Sequence, residues 1–229
     1  MGLANGVHHA AYCTSDLKAQ IEFFTDVVGM RLVALYWMHG VEGAMHAFLE
    51  LGATSSVAFV HMPQIGDIEP KLGITHAGNA GDPVAGGVLQ HMAFNVDGED
   101  ALLAMRDRIR DRGVQVHGPV DHGFCKSIYL SGPEGMQLEF STSEAPIDAE
   151  AWIDPEVVGL CGISSEELER YKAPAAGPSG AGRIPQPTFD PAKPHQIFAP
   201  PMDEWIRTAS DEEFAKVMDH PEPPVPQDP

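Results

Sequence analysis

The chain contains an internal repeat of a whole structural unit, and this repeat restricts the fold more than any other feature. Residues 89–96 (LQHMAFNV) match residues 7–14 (VHHAAYCT) at an offset of 82 positions, with His on His, Ala on Ala and an aromatic residue on an aromatic residue. After each copy, apolar residues recur every three to four positions, which predicts a helix, and three strand-like runs follow. The sequence therefore predicts two βαβββ modules.

Capping and turn residues predict where these elements begin and end. Asp16 is a good N-cap residue for the first helix, and Gly29 and Gly113 are suited to end the two helices. The predicted strands are 6–13, 30–38, 44–51 and 56–62 in the first module, and 89–96, 114–120, 124–130 and 136–141 in the second. The fold class is α+β, with modules 6–62 and 88–143 forming one domain over residues 1–143.

The charge of the chain disfavours two classes of partner. Its 33 acidic and 14 basic residues give a net charge of −19, which repels phosphate backbones and anionic lipid, so we expect neither nucleic acid nor membrane as a partner. No apolar run approaches the roughly 20 residues that span a bilayer, and the first residues do not resemble a signal peptide. The three cysteines are widely spaced. We therefore expect reduced thiols and a cytoplasmic location.

Composition changes after residue 143. Residues 144–229 contain 15 of the 20 prolines, with 17 acidic and 6 basic residues. Two short helices are predicted there, because Ser164 with Glu167 and Ser210 with Glu213 match the capping-box pattern. We interpret this Pro-rich segment as an extended arm over the domain or over a partner subunit, fraying after Pro221. A disordered acidic tail is the alternative.

Two histidines occupy equivalent positions of the repeat, and a glutamate accompanies them. His9 and His91 each lie in the first predicted strand of a module, and Glu139 lies in the last strand of the second. Leu138 and Phe140 face the side opposite to Glu139, and a carboxylate in so apolar a strand is costly to bury unless something positive binds it. Two imidazoles and one carboxylate form the facial triad of non-haem iron(II) sites. We therefore predict Fe(II) ligands, with Mn(II) as the alternative metal.

Two stretches resemble a known superfamily. Residues 9–30, HAAYCTSDLKAQIEFFTDVVGM, look like the opening of a vicinal-oxygen-chelate unit, found in glyoxalases, bleomycin-resistance proteins and dioxygenases. Residues 120–139 resemble the signature of type I extradiol ring-cleaving dioxygenases, which leads from a histidine through an apolar-Tyr pair and a Pro-x-Gly turn to a ligand glutamate. The chain supplies His122, Ile128-Tyr129, Pro133-Glu134-Gly135 and Glu139. It departs at Gly132, a turn position that does no chemistry, and the resemblance covers about residues 6–143.

The resemblance implies the roles of three further residues. His76 lies 15 positions ahead of His91, a spacing similar to that of the family's acid-base histidine, which accepts a proton as a catechol binds iron. His122 and Tyr129 would donate hydrogen bonds to the bound oxygens. The implied activity is cleavage of a catechol-type aromatic diol with O₂, next to the diol.

Other readings stay open at this point. Taken singly, Tyr129 could be a core residue, His122 a solvated turn residue and His76 part of a mobile loop; His39, His46 and His117 are assigned to structure or surface. A glyoxalase-type lyase or isomerase on the same fold would have a fourth ligand on the last strand of the first module. That strand offers no carboxylate, and His61 is its one candidate. A member that binds small molecules without metal is the second alternative, and we expect a homo-oligomer in each case.

Overall fold

The structure, a computed structural model, describes residues 4–175, 177 and 183–224. Its first module comprises β1 (His9–Cys13), α1 (Leu17–Glu22), a π-helix (Phe23–Val28), β2 (Leu32–Trp37), β3 (Met45–Gly52) and β4 (Ser55–His61). The second comprises β5 (Met92–Asn95), α2 (Gly98–Asp111), β6 (His117–Asp121), β7 (Lys126–Ser131) and β8 (Gln137–Thr142). This order confirms the two predicted βαβββ modules.

Each module forms its own four-stranded sheet with the same topology. The strand orders are β1-β4-β3-β2 and β5-β8-β7-β6. In each sheet the first and last strands of the module run parallel and the remaining pairs run antiparallel. The last strand is therefore interior, and residues 57–60 of β4 are buried in succession because both faces of that strand are covered.

The first helix begins as predicted but changes its winding. The carboxylate of Asp16 caps α1 by accepting a hydrogen bond from the amide of Ala19. A single α-helix to Val28 was predicted, whereas the carbonyl of Phe24 accepts from the amides of both Gly29 and Met30. These spacings of five and six residues belong to a wider π-turn. Gly29 then ends the helix in the left-handed region, with φ of 94°.

Aromatic side chains join the two modules through one core. Phe24 packs against Phe59 of β4, with ring centroids 5.1 Å apart, and against Phe94 of β5, at 6.5 Å. Phe94 in turn lies 5.3 Å from Phe140 of β8. All four rings are almost fully buried. The sheets therefore share buried apolar surface, although no ladder connects them in the described part of the chain.

Short helices follow the second sheet: α3 (Ala149–Trp152), α4 (Pro155–Leu160), α5 (Ser165–Lys172), α6 (Met202–Ile206) and α7 (Asp211–Met218). Both predicted capping boxes form, at Ser164 and at Ser210. The chain divides into two compact units, residues 1–169 and 170–229. The extended arm stays a prediction, and its predicted frayed end includes residues 225–229, outside the described range.

Each unit has an aromatic contact that fixes part of this C-terminal segment. In the first unit, Trp152 packs edge-on against Phe124 at 4.8 Å and lies directly on Gly123, where a Cβ atom would come within 2.9 Å of the indole ring. In the second unit, Trp205 stacks on Phe214 at 6.3 Å. No helix in the described residues is long and apolar enough to cross a membrane.

Candidate functional site

Two of the predicted site residues, Glu139 and Tyr129, lie side by side on one face of the second sheet. Strand register aligns Ala93, Glu139, Tyr129 and His117 in a row across β5, β8, β7 and β6. Alternation places their side chains on the face opposite to the core residue Phe140. We call this the site face of the second sheet. Glu139 is only 6% exposed there, so its carboxylate needs a partner.

His91 provides that partner. Its Nε2 lies 3.0 Å from Oε2 of Glu139. The first strand of the second module was predicted to begin at residue 89, but β5 begins at Met92. His91 therefore immediately precedes β5. Two of the three predicted metal ligands are thus brought into contact.

The other ring nitrogen of His91 also faces an acceptor. Its Nδ1–H donates to Oε1 of Gln90, and the orientation of that amide is fixed because its Nε2 donates to the carbonyls of Asn79 and Asp82, both at 3.0 Å. With Nδ1–H directed at Gln90, Nε2 faces Oε2 of Glu139, and a cation shared between these two atoms would satisfy both. Two atoms that bind one metal ion at about 2.1 Å and at a right angle stand about 3.0 Å apart. The pair therefore has a spacing that fits a metal ion.

Hydroxyl groups occupy the other side of the Glu139 carboxylate. Ser141 donates to Oε1 of Glu139 at 2.6 Å, and the Ser127 and Ser141 hydroxyls lie 2.9 Å apart. Because Oε1 is taken up in this way, Oε2 is left to face His91. Such outer contacts orient a carboxylate for metal binding.

His9 is not part of this arrangement. It is exposed on β1 of the first sheet, with its ring 5.6 Å from Phe48 and its Nδ1 2.9 Å from Nδ1 of His8. Within residues 4–175, 177 and 183–224, no three His, Cys, Asp or Glu residues are grouped closely enough to hold a metal ion. The structure thus assembles His91 and Glu139 but leaves His9 apart from them.

His122 and Tyr129 are brought together beside Glu139. Nε2 of His122 lies 2.7 Å from the Tyr129 hydroxyl, with the rings nearly perpendicular. Burial raises the pKa of Tyr129 above its ordinary value; its contact with Ser127 opposes this, and the charge of Glu139 raises it further. The hydroxyl therefore stays protonated around neutrality and can act as a hydrogen-bond donor.

His76 belongs to a loop and lies beside the turn that leads into β8, the strand that carries Glu139. Its ring covers Gly135, where a Cβ atom would come within 2.9 Å of Cδ2, and its Nδ1 contacts the Thr75 hydroxyl at 3.1 Å. Gly135 precedes Glu139 by four residues, so His76 borders the site face near the turn between β7 and β8.

His61, the candidate fourth ligand, points away from the site. It alternates with Val60 and therefore lies on the face opposite to His9, where its Nδ1 contacts the carbonyl of Thr14 at 3.1 Å. The positions of β4 that share a face with His9 are Ser56, Ala58 and Val60. None of these is a metal ligand of the glyoxalase type.

Sequence reasoning missed two residues that orient the site. Ser141 follows Glu139 by two positions, so strand alternation alone could have placed it on the same face. Gln90 carried no such signal, because its partners Asn79 and Asp82 belong to a long loop whose path the sequence does not reveal.

Comparison with known proteins places the chain in a family. Residues 6–140 match the model of the glyoxalase/bleomycin resistance protein/dioxygenase superfamily. A biphenyl-2,3-diol 1,2-dioxygenase of Rhodococcus globerulus is 24% identical over 178 residues, which cover 74% of this chain and 81% of the relative. Metallothiol transferase FosB of Staphylococcus epidermidis is 27% identical over 138 residues, 59% of this chain and 80% of the relative.

A solved domain from Frankia sp., described as a glyoxylase/bleomycin resistance protein/dioxygenase domain, superposes with a TM-score of 0.48 at 13% identity. It covers 62% of this chain and 99% of its own. The family match spans more than half of the chain and both modules, and the observed architecture is the one expected of a vicinal-oxygen-chelate domain. The chain therefore belongs to the glyoxalase/bleomycin resistance protein/dioxygenase superfamily.

Proposed function

We propose that this protein is an Fe(II)-dependent extradiol dioxygenase that cleaves a catechol-type aromatic diol with O₂. The observation that carries the proposal is the pairing of His91 with Glu139 and of His122 with Tyr129 on neighbouring strands of one face. The first pair offers donors that suit ferrous iron. The second offers hydrogen-bond donors for a diol oxygen. The relative that acts on biphenyl-2,3-diol is consistent with this assignment.

His91, Glu139 and His9 would hold the iron. The contact between His91 and Glu139 supports the first two, and His9 is included because it occupies the position of the repeat equivalent to that of His91. When bound, ferrous iron would supply the redox and Lewis-acid chemistry that a diol and O₂ need.

Tyr129 would hold a proton at one oxygen of the diol. Its raised pKa favours the donor form, and with Nε2–H of His122 donating to the Tyr129 oxygen, the hydroxyl proton of Tyr129 is free for a diol oxygen. Donors fixed in place before reaction stabilise developing negative charge without reorganisation. His76 is the proposed proton acceptor. Its ring lies against Gly135, in the turn that leads into β8, the strand that carries Glu139.

Anaerobic reconstitution with Fe(II), followed by O₂ uptake and visible absorbance with a panel of catechols, tests the proposal. We expect one O₂ consumed per diol and a yellow ring-opened product. If protein that retains stoichiometric iron consumes no O₂ with any of the diols, the dioxygenase assignment is refuted.

A metal-dependent transferase, lyase or isomerase is the second candidate. The transferase relative has an identity similar to that of the dioxygenase relative, and the pair of His91 and Glu139 would serve a divalent metal in either chemistry. Turnover of a thiol or thiol adduct with Mn(II), Zn(II) or Ni(II) in the absence of O₂ would favour this candidate. A metal-free protein with full ligand affinity would instead favour a binding role.

Two expectations about the protein's surroundings also remain proposals. The edge strand β2 exposes Val33, Leu35 and Trp37, which supports pairing with a second copy. Sedimentation velocity of the wild type and of a variant with Trp37→Lys tests this.

The cysteines Cys13, Cys125 and Cys161 are free, which is consistent with a reducing cytoplasm.

A further inference from the structure

A cavity of about 310 Å³ adjoins the second sheet. It is lined by site-face residues of β6, β7 and β8, by the core-face residues Leu130 and Leu138, by Val114 and Gln115 ahead of β6, and by residues 78–80 of the long loop. The polar side chains in its lining are Asn79, Gln115, His117, Tyr129, Ser131 and Gln137. Its volume is at the lower end of the range of small-molecule sites, about 300–1,000 Å³.

The cavity begins next to the metal-ligand pair. Tyr129 belongs to the cavity wall and is the direct cross-strand neighbour of Glu139, while His117 is the next residue in the same row. Adjacent strands are about 4.8 Å apart. A diol held at Glu139 and Tyr129 would therefore project its far end over His117 and Ser131.

The cavity wall contains no carboxylate, ammonium or guanidinium group. Its lining includes no Asp, Glu, Lys or Arg, although the chain carries a net charge of −19. Amides, hydroxyls and an imidazole are the groups available to a ligand. An anionic substituent would meet no counter-ion there, whereas an uncharged donor or acceptor could be satisfied.

One wall of the cavity is tied to a metal ligand. The carbonyls of Asn79 and Asp82 accept hydrogen bonds from Nε2 of Gln90, and Oε1 of the same amide accepts from His91. The side chain of Asn79 further donates to Asp82 at 2.8 Å. A ligand that presses on this loop is therefore connected to the orientation of His91 through one side chain.

We infer that this cavity binds the end of the substrate remote from the reacting hydroxyls, and that it selects a monocyclic diol with a short, uncharged hydrogen-bonding substituent. This rests on the proposed dioxygenase function. His117 and Gln137 are its specificity-determining residues, and Gln90 links His91 to the loop that forms one wall.

Anaerobic titration of the Fe(II)-loaded protein with three diols of similar size tests the inference: 4-(hydroxymethyl)catechol, 4-ethylcatechol and 3,4-dihydroxybenzoate. We expect the hydroxymethyl compound to bind about tenfold more tightly than the ethyl compound, as one additional hydrogen bond allows, and the carboxylate to bind most weakly. His117→Leu should bring the first two affinities close to parity. His195→Leu, an exposed histidine of the second unit, is the matched control and should preserve the ratio.

The outcomes separate this inference from the proposed function. Equal affinity of the wild type for the hydroxymethyl and ethyl compounds would overturn the cavity assignment while leaving the dioxygenase in place, as would an unchanged ratio in the His117→Leu protein. Tighter binding of the benzoate would also overturn it, because that requires a cation in the wall. Failure of all three diols to bind would remove the dioxygenase proposal and, with it, the substrate class.

Discussion

The carboxylate of Glu134 accepts a hydrogen bond from the backbone amide of Ser15 at 2.8 Å, across 119 positions of sequence. The hydroxyls of Ser15 and Thr14 and the amide of Gln20 donate to the same carboxylate. The backbone of Glu134 adopts the left-handed conformation, with φ of 57°, which is uncommon for residues other than glycine. The turn between β7 and β8 is thus fastened to the start of α1 in the other module.

Replacing Glu134 should loosen this connection. We expect Glu134→Ala to lower the free energy of unfolding by about 2–3 kcal/mol, because several donors, one of them the buried side chain of Gln20, lose a charged acceptor. Urea denaturation followed by circular dichroism measures the change. Glu42→Gln removes one exposed acidic charge elsewhere and serves as the control; an equal loss in both variants would contradict a specific link between the modules.

The same carboxylate predicts a dependence of stability on pH. Burial alone would raise the pKa of Glu134, but the hydrogen bonds from Ser15, Thr14 and Gln20 hold it below the ordinary value of 4.5. A group whose pKa is lower in the folded state stabilises the fold above its unfolded pKa, and this contribution is lost as the pH falls through the folded pKa. The stability difference between wild type and Glu134→Gln should therefore shrink as pH falls below about 4.5. Urea titrations between pH 3 and pH 6 measure it, and a constant difference would refute the assignment.

His9 can be tested as a metal ligand against its neighbour. His9→Ala should weaken Fe(II) binding by more than the roughly 10–100-fold typical of changes in residues that only orient a ligand, with the fold intact. His8→Ala is the matched control, since His8 contacts His9 but is not a proposed ligand. Metal stoichiometry after gel filtration reports the result. Wild-type iron content in the His9→Ala protein would limit the protein ligands to His91 and Glu139.

Tyr129 should affect turnover without affecting metal content. Tyr129→Phe removes the hydroxyl that contacts His122, so we expect kcat to fall about 10²–10³-fold, as for the loss of one donor to a developing negative charge. Tyr12→Phe is a suitable control, because the Tyr12 hydroxyl is buried without a hydrogen-bond partner among the described residues, and burial raises its pKa to about 12. Equal rates for wild type and Tyr129→Phe would return Tyr129 to a packing role.

The fold was predictable because its signals are local and repeated. The match between residues 7–14 and 89–96 predicted both βαβββ modules, and Asp16 and Gly29 marked the helix ends that the structure shows. The contact between His91 and Glu139 also followed, since His91 immediately precedes β5 and Glu139 lies on β8, which pairs with β5.

The position of His9 could not be obtained in the same way. Strand register fixes neighbours within a sheet, but His9 and Glu139 lie on separate sheets that are joined by side-chain packing. The role of Glu134 was equally hidden, because the family signature accepts any residue there and its partners are more than 110 positions away. Contacts between modules depend on the final packing, and sequence periodicity carries no information about them.

The indole of Trp152 rests on Gly123, next to His122, yet it comes from a segment beyond residue 140, where the match to the superfamily ends. The loop that presents a candidate catalytic group is thus supported by a side chain outside the part of the chain that the family model matches. A substitution at Trp152 can therefore change this loop while every residue of the matched domain stays the same. Relatives with identical ligands and identical turn motifs can then differ in rate or selectivity for reasons that an alignment of the shared domain does not display.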